Sequence, residues 1–359
     1  MPPALARRLV ALLLVATTVA LAAGAGVTAS TIRPVTTATP LFARAISDPP
    51  GTALREKRLA QLPIAWRGGP ITTSTGETVT VFVSPSLDPS ITPESWAEFI
   101  AHLIHGPEIS KLAAYFATLD QVQQVCGAQA LGCYGENELV SLGEPAIDGT
   151  TPEEIVRHEY GHHISFNRSN LPWDAIEWGP KYWASSANVC ERVTRGSAFP
   201  GDESLHYDQN PGEAWAETYR LLDEQANGIL TKSWQIVSSS FFPNTPELQA
   251  AERDVLHPWT GPTKKTYRKQ FTKKSTKVWT IRLQTPLDGS LSVSATYPKR
   301  GVYAVDLLGP NDRTVLRRGS PAGTRTKRVA ASVCGQRTLF VRVTEKSVPG
   351  RVSVTTSIP

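Results

Sequence analysis

One stretch divides this chain into two parts that cannot share a fold: residues 257–275, HPWTGPTKKTYRKQFTKKS, rich in Pro, Gly and Lys. Before it, apolar residues recur at helical spacing, as at Trp96, Phe99, Ile100, Leu103 and Ile104. After it, short alternating runs appear at 278–283, 290–295, 302–307, 339–343 and 352–355. Turn residues such as Asp288-Gly289 and Pro310-Asn311-Asp312 separate them, which is the pattern of an all-β module. The charge changes sign across the same stretch. Residues 261–359 carry 20 Lys+Arg against 4 Asp+Glu, and residues 1–260 carry the remaining 17 against 28. The expectation is an α+β domain over 76–256, a basic linker over 257–275 and a small β-sandwich over 276–359. A length of 359 residues suits two domains.

The amino terminus reads as a secretory signal peptide over 1–29. Arg7 and Arg8 precede residues 9–23, which are dominated by Leu, Val and Ala, and small residues follow. Cleavage after Ala23 or after Ala29 fits equally. A leader or pro-segment is expected over 30–75. No later segment is apolar enough for a membrane span, so the expected location is outside the cell. There the four cysteines meet oxidising conditions and allow three pairings. Cys126 and Cys133 close a short loop through Gly127 and Gly132, which leaves Cys190 for Cys334.

Within 76–256, residues 78–83 (TVTVFV) read as a strand. Residues 93–119 read as two helices broken at Gly106-Pro107, and 135–142 as a strand. A third helix starts at Thr151-Pro152-Glu153-Glu154, with a threonine cap, proline in the first turn and the glutamate of a capping box. A fourth starts at Asn210-Pro211-Gly212-Glu213 on the same logic.

The third helix carries His158-Glu159-Tyr160-Gly161-His162, an H-E-x-x-H pattern. Residues four apart are only about 40° out of phase, so both imidazoles share a face and reach one ion. Glu159 lies about 100° round the helix, placed to take a proton from water beside that ion rather than to ligate. A catalytic zinc (Zn2+) site needs a third protein ligand and an open position. Positions 165 and 168, Ser and Arg, do not supply it. The fourth helix offers Glu213 and Glu217, four apart on one face. Glu213 is expected to ligate and Glu217 to orient a ligand histidine, with the reverse assignment open. His163, His102 and His105 read as packing residues.

HEYGHH followed by an E-x-x-x-E helix resembles the gluzincin branch of the zincin metallopeptidases. PGEAWAETYRLL is similar to the ligand helix of anthrax-lethal-factor-like peptidases. The resemblance spans residues 79–222 through short motifs only. It implies an α+β zincin-like fold with a cleft, His158, His162 and Glu213 on zinc, and Glu159 as general base. In that family a tyrosine upstream of the ligand helix steadies the oxyanion. Here Tyr207 stands one residue closer to Glu213 than the family spacing, and His206 occupies the family position, so both are candidates. By analogy, residues 136–142 would form the cleft-edge strand that pairs with an extended peptide. The C-terminal run resembles a pre-peptidase C-terminal β-sandwich.

The expected activity is therefore a secreted zinc endopeptidase acting on peptides or proteins. The alternatives are an inactive binding protein that kept the fold, and a zinc hydrolase of cell-wall peptides. The basic C-terminal module can hold an anionic cell-surface polymer. An extracellular location without an RNA- or DNA-binding signature disfavours nucleic acid.

Overall fold

The computed structural model describes residues 44–45, 64–229 and 236–359. The signal segment 1–29 and most of the 30–75 leader lie outside the described residues. The first strands are β1 (Arg44–Ala45), β2 (Arg67–Thr72) and β3 (Thr78–Val83). Then come α1 (Pro93–Ala101), β4 (Ala113–Ala117), α2 (Leu119–Cys126), β5 (Gly132–Gly135) and β6 (Glu138–Leu142). Helices follow: α3 (Pro152–Phe166), α4 (Ala175–Trp178), α5 (Lys181–Ser186), α6 (Val189–Thr194), α7 (Pro211–Ala226) and α8 (Thr245–Leu256).

Six strands form one sheet in the order β1-β5-β6-β4-β3-β2. The centre is parallel (β3, β4, β6), while β5 returns antiparallel to β6. The hairpin turn between them is Glu136-Asn137, both in the left-handed region at φ 49° and 72°. Helix α3 packs on β5 and β6, and α7 packs on α3. Val81, Phe116, Leu139, Val156, Tyr160, Trp183 and Trp215 belong to one buried core.

Several expectations change here. The second helix expected within 93–119 is a 3-10 turn at Pro107–Lys111 followed by β4. The sequence AAYFA is a central strand paired on both sides and mostly buried, so it lacks the alternation that marks a half-exposed strand. The strand in 136–142 is not at the edge: β6 lies between β5 and β4. The antiparallel strand nearer the edge is β5, and its outer side pairs with β1, Arg44 opposite Cys133 and Ala45 opposite Tyr134. The ordered sheet also begins earlier than residue 76, because β2 pairs with β3.

The C-terminal part has nine strands: β7 (Thr263–Gln270), β8 (Val278–Gln284), β9 (Gly289–Thr296), β10 (Tyr303–Leu308), β11 (Val315–Arg318), β12 (Ser320–Pro321), β13 (Thr326–Val333), β14 (Thr338–Glu345) and β15 (Arg351–Ile358). They form a four-stranded sheet, β11-β10-β14-β8, and a five-stranded sheet, β12-β13-β9-β15-β7. Ile281, Val305 and Val341 of one sheet meet Val293, Val329 and Val354 of the other in a single core, which makes a β-sandwich. The segment read as a linker thus contains β7, an edge strand whose lysines mimic linker composition.

The disulfides are Cys126–Cys133 and Cys190–Cys334. The second ties α6 to the sandwich. Beside it, Arg337 donates to the Ser185 carbonyl at 2.8 Å, and the Asp288 amide donates to the Ser185 hydroxyl at 3.0 Å. Among the described residues, no helix is long and apolar enough to cross a membrane.

Candidate metal centre

Helix α3 starts as its sequence dictates. Thr151 accepts from the Glu154 amide at 3.3 Å, and the Glu154 carboxylate accepts from the Thr151 amide at 2.7 Å. This fixes the phase of the helix, so His158 and His162 emerge on the side facing α7. Helix α7 is capped by the Asn210 side chain, which accepts from the Gly212 amide at 3.0 Å. With the cap satisfied by Asn210, the Glu213 carboxylate turns to the histidines instead of the helix start.

The two helices can approach because residue 161 is glycine. A Cβ there would stand 2.7 Å from the Ala216 Cα and 3.0 Å from the Ala216 carbonyl oxygen. Trp215 closes the crossing by donating its indole N–H to the Gly161 carbonyl at 2.6 Å. The crossing thus sits one residue before His162 and between Glu213 and Glu217. A mid-helix glycine costs helix stability, and close packing against α7 is what it gives in return.

At that crossing, His158 Nε2 lies 3.2 Å from Glu213 Oε2, and His162 Nε2 lies 3.5 Å from Glu213 Oε1. All three side chains are buried, and one donor atom from each lies within 4.8 Å of the others. Two donors about 2.1 Å from one tetrahedral ion stand roughly 3.4 Å apart, and each histidine lies near that distance from the Glu213 carboxylate, one on each oxygen. Two imidazoles and a carboxylate are also a donor set suited to zinc. The residues present therefore fit the ion that the motif implies.

Glu217 stands behind this group. Its Oε2 lies 3.2 Å from His158 Nδ1, so Nδ1 carries the hydrogen and Nε2 faces Glu213. Arg220 clamps Glu217 from the other side: its Nε donates to Oε2 at 3.0 Å, its Nη2 pairs with Oε1, and its Nη1 donates to Glu224 at 2.8 Å. Burial raises the Glu217 carboxyl, but bonds from His158 and Arg220 outweigh it and hold the group below the usual carboxylate range. Arg220 was not singled out in the sequence. The spacing that identifies it is E-x-x-R-x-x-x-E on a helix that carries a ligand, since residues three and four apart are neighbours.

Burial alone would lower the His158 imidazolium. Hydrogen bonds to Glu213 and Glu217, with the charges of Glu213 and Glu159, reverse this and hold it at about 10. Burial dominates at His162, whose imidazolium is pushed below the ordinary value. Glu213 is buried too, yet His162 and His158 hold its carboxyl well below the ordinary value. His163 points elsewhere. It bonds the Glu108 carbonyl at 2.9 Å and the Tyr134 hydroxyl at 3.1 Å, and burial lowers it to about 4. His102 bonds the Glu98 carbonyl and His105 reaches Glu77, both away from the cluster.

Glu159 is fully buried and directed toward β5, where a Cβ on Gly132 would come within 3.3 Å of its Oε1. The Tyr207 hydroxyl donates to Glu213 Oε2 at 2.7 Å, so Tyr207 stands at the cluster. Burial and the nearby Glu213 charge push its phenol well above 10, and it remains a donor. His206 does not join it. Its Nδ1 pairs with Asp202 at 2.7 Å and its ring stacks on Phe199 with centroids 3.8 Å apart. The residue at the family position is thus engaged by its own loop, and the adjacent tyrosine reaches the carboxylate.

No family model matches the sequence, and no curated protein matches it. A solved structure with partial likeness is the pre-peptidase C-terminal domain of collagenase from Bacillus anthracis. It is 11% identical, covers 26% of this chain and 88% of its own, and superposes with a TM-score of 0.22.

Proposed function

We propose that this chain is an exported zinc endopeptidase of zincin type. The reading is carried by one observation: His158, His162 and Glu213 present three buried donor atoms within 4.8 Å of one another, with Glu159 one residue from the first ligand. His158, His162 and Glu213 would hold the zinc, which when bound polarises a substrate carbonyl and lowers the pKa of water. Glu213 supplies the negative charge, and Glu217 with Arg220 keeps the His158 Nε2 lone pair aimed inward.

Glu159 is the group that takes a proton from the attacking water and passes it to the leaving amine. Its burial against β5 excludes competing solvent. Tyr207 is the donor for charge developing on the carbonyl oxygen, because its hydroxyl stays protonated beside the ligands. The retained Glu159 disfavours the inactive-scaffold reading, since a protein that only binds has no use for the base. Disulfides and the signal-like amino terminus support export.

The test is hydrolysis of casein by the zinc-loaded protein. A chelator should abolish it. Glu159→Gln should keep stoichiometric zinc and lose about 10²–10⁴ in rate. Undiminished hydrolysis by that variant would refute the assigned base.

A further inference from the structure

The five-stranded sheet of the sandwich has a polar outer face bordered by cations. Its inward positions are apolar, as Val293, Val329, Val352 and Val354 show. Side chains alternate along a strand, so the neighbours of these residues point out. On β15 these are Arg351, Ser353, Thr355 and Ser357, and none is buried. On β9 they are Ser290, Ser292, Ser294 and Thr296, again none buried. The two central strands therefore present short hydroxyls at every outward position after Arg351.

The register aligns them into rows. Arg268 lies opposite Ser353, which lies opposite Thr296. In the next row, Thr266 faces Thr355, then Ser294, then Arg328. The Thr266 and Thr355 hydroxyls are 3.0 Å apart. Rows repeat about every 7 Å along the strands and columns about every 4.8 Å across them, so the face is a regular lattice of hydroxyls. Cations border it, with Lys264, Arg268 and Arg351 on one side and Arg328 on the other. The five strands together contain seven Lys or Arg and no Asp or Glu, so nothing on this sheet neutralises the border internally. The domain's acids lie elsewhere. Asp288 pairs with Arg337 at the seam with α5, and Asp306 pairs with Arg342 on the opposite sheet.

We propose that this face docks the chain onto an extended acidic polysaccharide. Three features select that partner. The uncompensated guanidinium and ammonium groups match a polymer with regularly repeating anionic groups. The hydroxyl rows exchange hydrogen bonds with a hydroxyl-bearing chain lying flat across the strands. No aromatic ring stands among the outward positions of β9, β13 and β15, which disfavours both neutral sugars that bind by stacking and unpaired nucleic-acid bases. The inference does not depend on the metal centre. It holds or fails whether or not the chain is a peptidase.

The experiment uses the full chain and dextran sulfate on beads, with neutral dextran beads and double-stranded DNA at equal charge as comparisons. A face variant, R268E/R328E/R351E, is set against R282E/R313E/R317E, a charge-matched variant of residues outside this sheet. Dextran sulfate should retain the wild type and the second variant alike, and the face variant should bind about tenfold or more weakly, with a shallower salt dependence. Equal loss in both variants would make binding a matter of net charge and overturn the proposal. Equal retention on neutral dextran, or tighter binding to DNA, would also overturn it. Unchanged thermal melting of the face variant shows that the loss is not unfolding.

Discussion

Zinc binding by this protein should expel a proton from His158, and the pH dependence of that release follows from the electrostatics of the site. Without metal, His158 is held at about 10 between Glu213 and Glu217, while burial lowers His162 and Glu213 remains ionised. Ligation needs a bare Nε2, so one proton leaves His158 at every pH from 6 to 8. Displacing it at pH 7.5 costs about 3.5 kcal/mol, from ~1.4 kcal/mol per pH unit, and this proton alone makes metal affinity rise about tenfold per unit over that range. The sign for stability runs the other way. A pKa raised in the folded state stabilises the metal-free protein fully below about 6.5, and this contribution is lost as pH climbs through 10. Water on zinc adds a second proton as pH passes about 7. Total release should therefore include the His158 proton throughout and reach about two per ion at pH 8. Two ordinary histidines would instead release about 1.5 at pH 6 and almost none at pH 8, giving a total that falls once the water is added. Titration calorimetry in buffers of different ionisation enthalpy counts the protons. A count that falls with pH would refute the assigned charge state of His158.

Two further perturbations test how the helices hold the site. Gly161→Ala places a methyl 2.7 Å from the α7 backbone, so α3 and α7 must separate. Thermal melting should show a loss of about 1–3 kcal/mol, and zinc affinity should fall although no ligand is changed. Arg220→Met leaves Glu217 and Glu224 buried without their shared cation, for a cost of about 3–5 kcal/mol by urea unfolding. Arg220→Lys, which cannot grip Glu217 through two nitrogens, should recover part of the stability but less of the zinc affinity.

The site was legible because its parts are local. Caps at Thr151 and Asn210 set the phase of two helices, and a spacing of four turns each pair of side chains to one side. The structure turns those sides toward each other, which the sequence could only assume. The role of Gly161 was not legible, since its cost to the helix is local and its benefit depends on Ala216. The buried strand β4 is not legible in the sequence because AAYFA is apolar on both faces, and periodicity does not distinguish such a strand from a short buried helix. Strand β7 is hidden for a related reason. Edge strands use lysine to prevent association, and TKKTYRKQ therefore reads as a linker. The choice between His206 and Tyr207 turned on where two adjacent side chains point, which Asp202 and Phe199 decide.

The most direct measurement is the metal content of purified wild type beside Glu213→Ala and Glu217→Ala. If His158, His162 and Glu213 grip one ion, the wild type holds one zinc per chain and Glu213→Ala holds none. Glu217→Ala should bind the ion more weakly, by about 10–100-fold, yet still fill at saturating zinc. Full zinc content in Glu213→Ala, or none in the wild type supplied with zinc, would contradict the assignment.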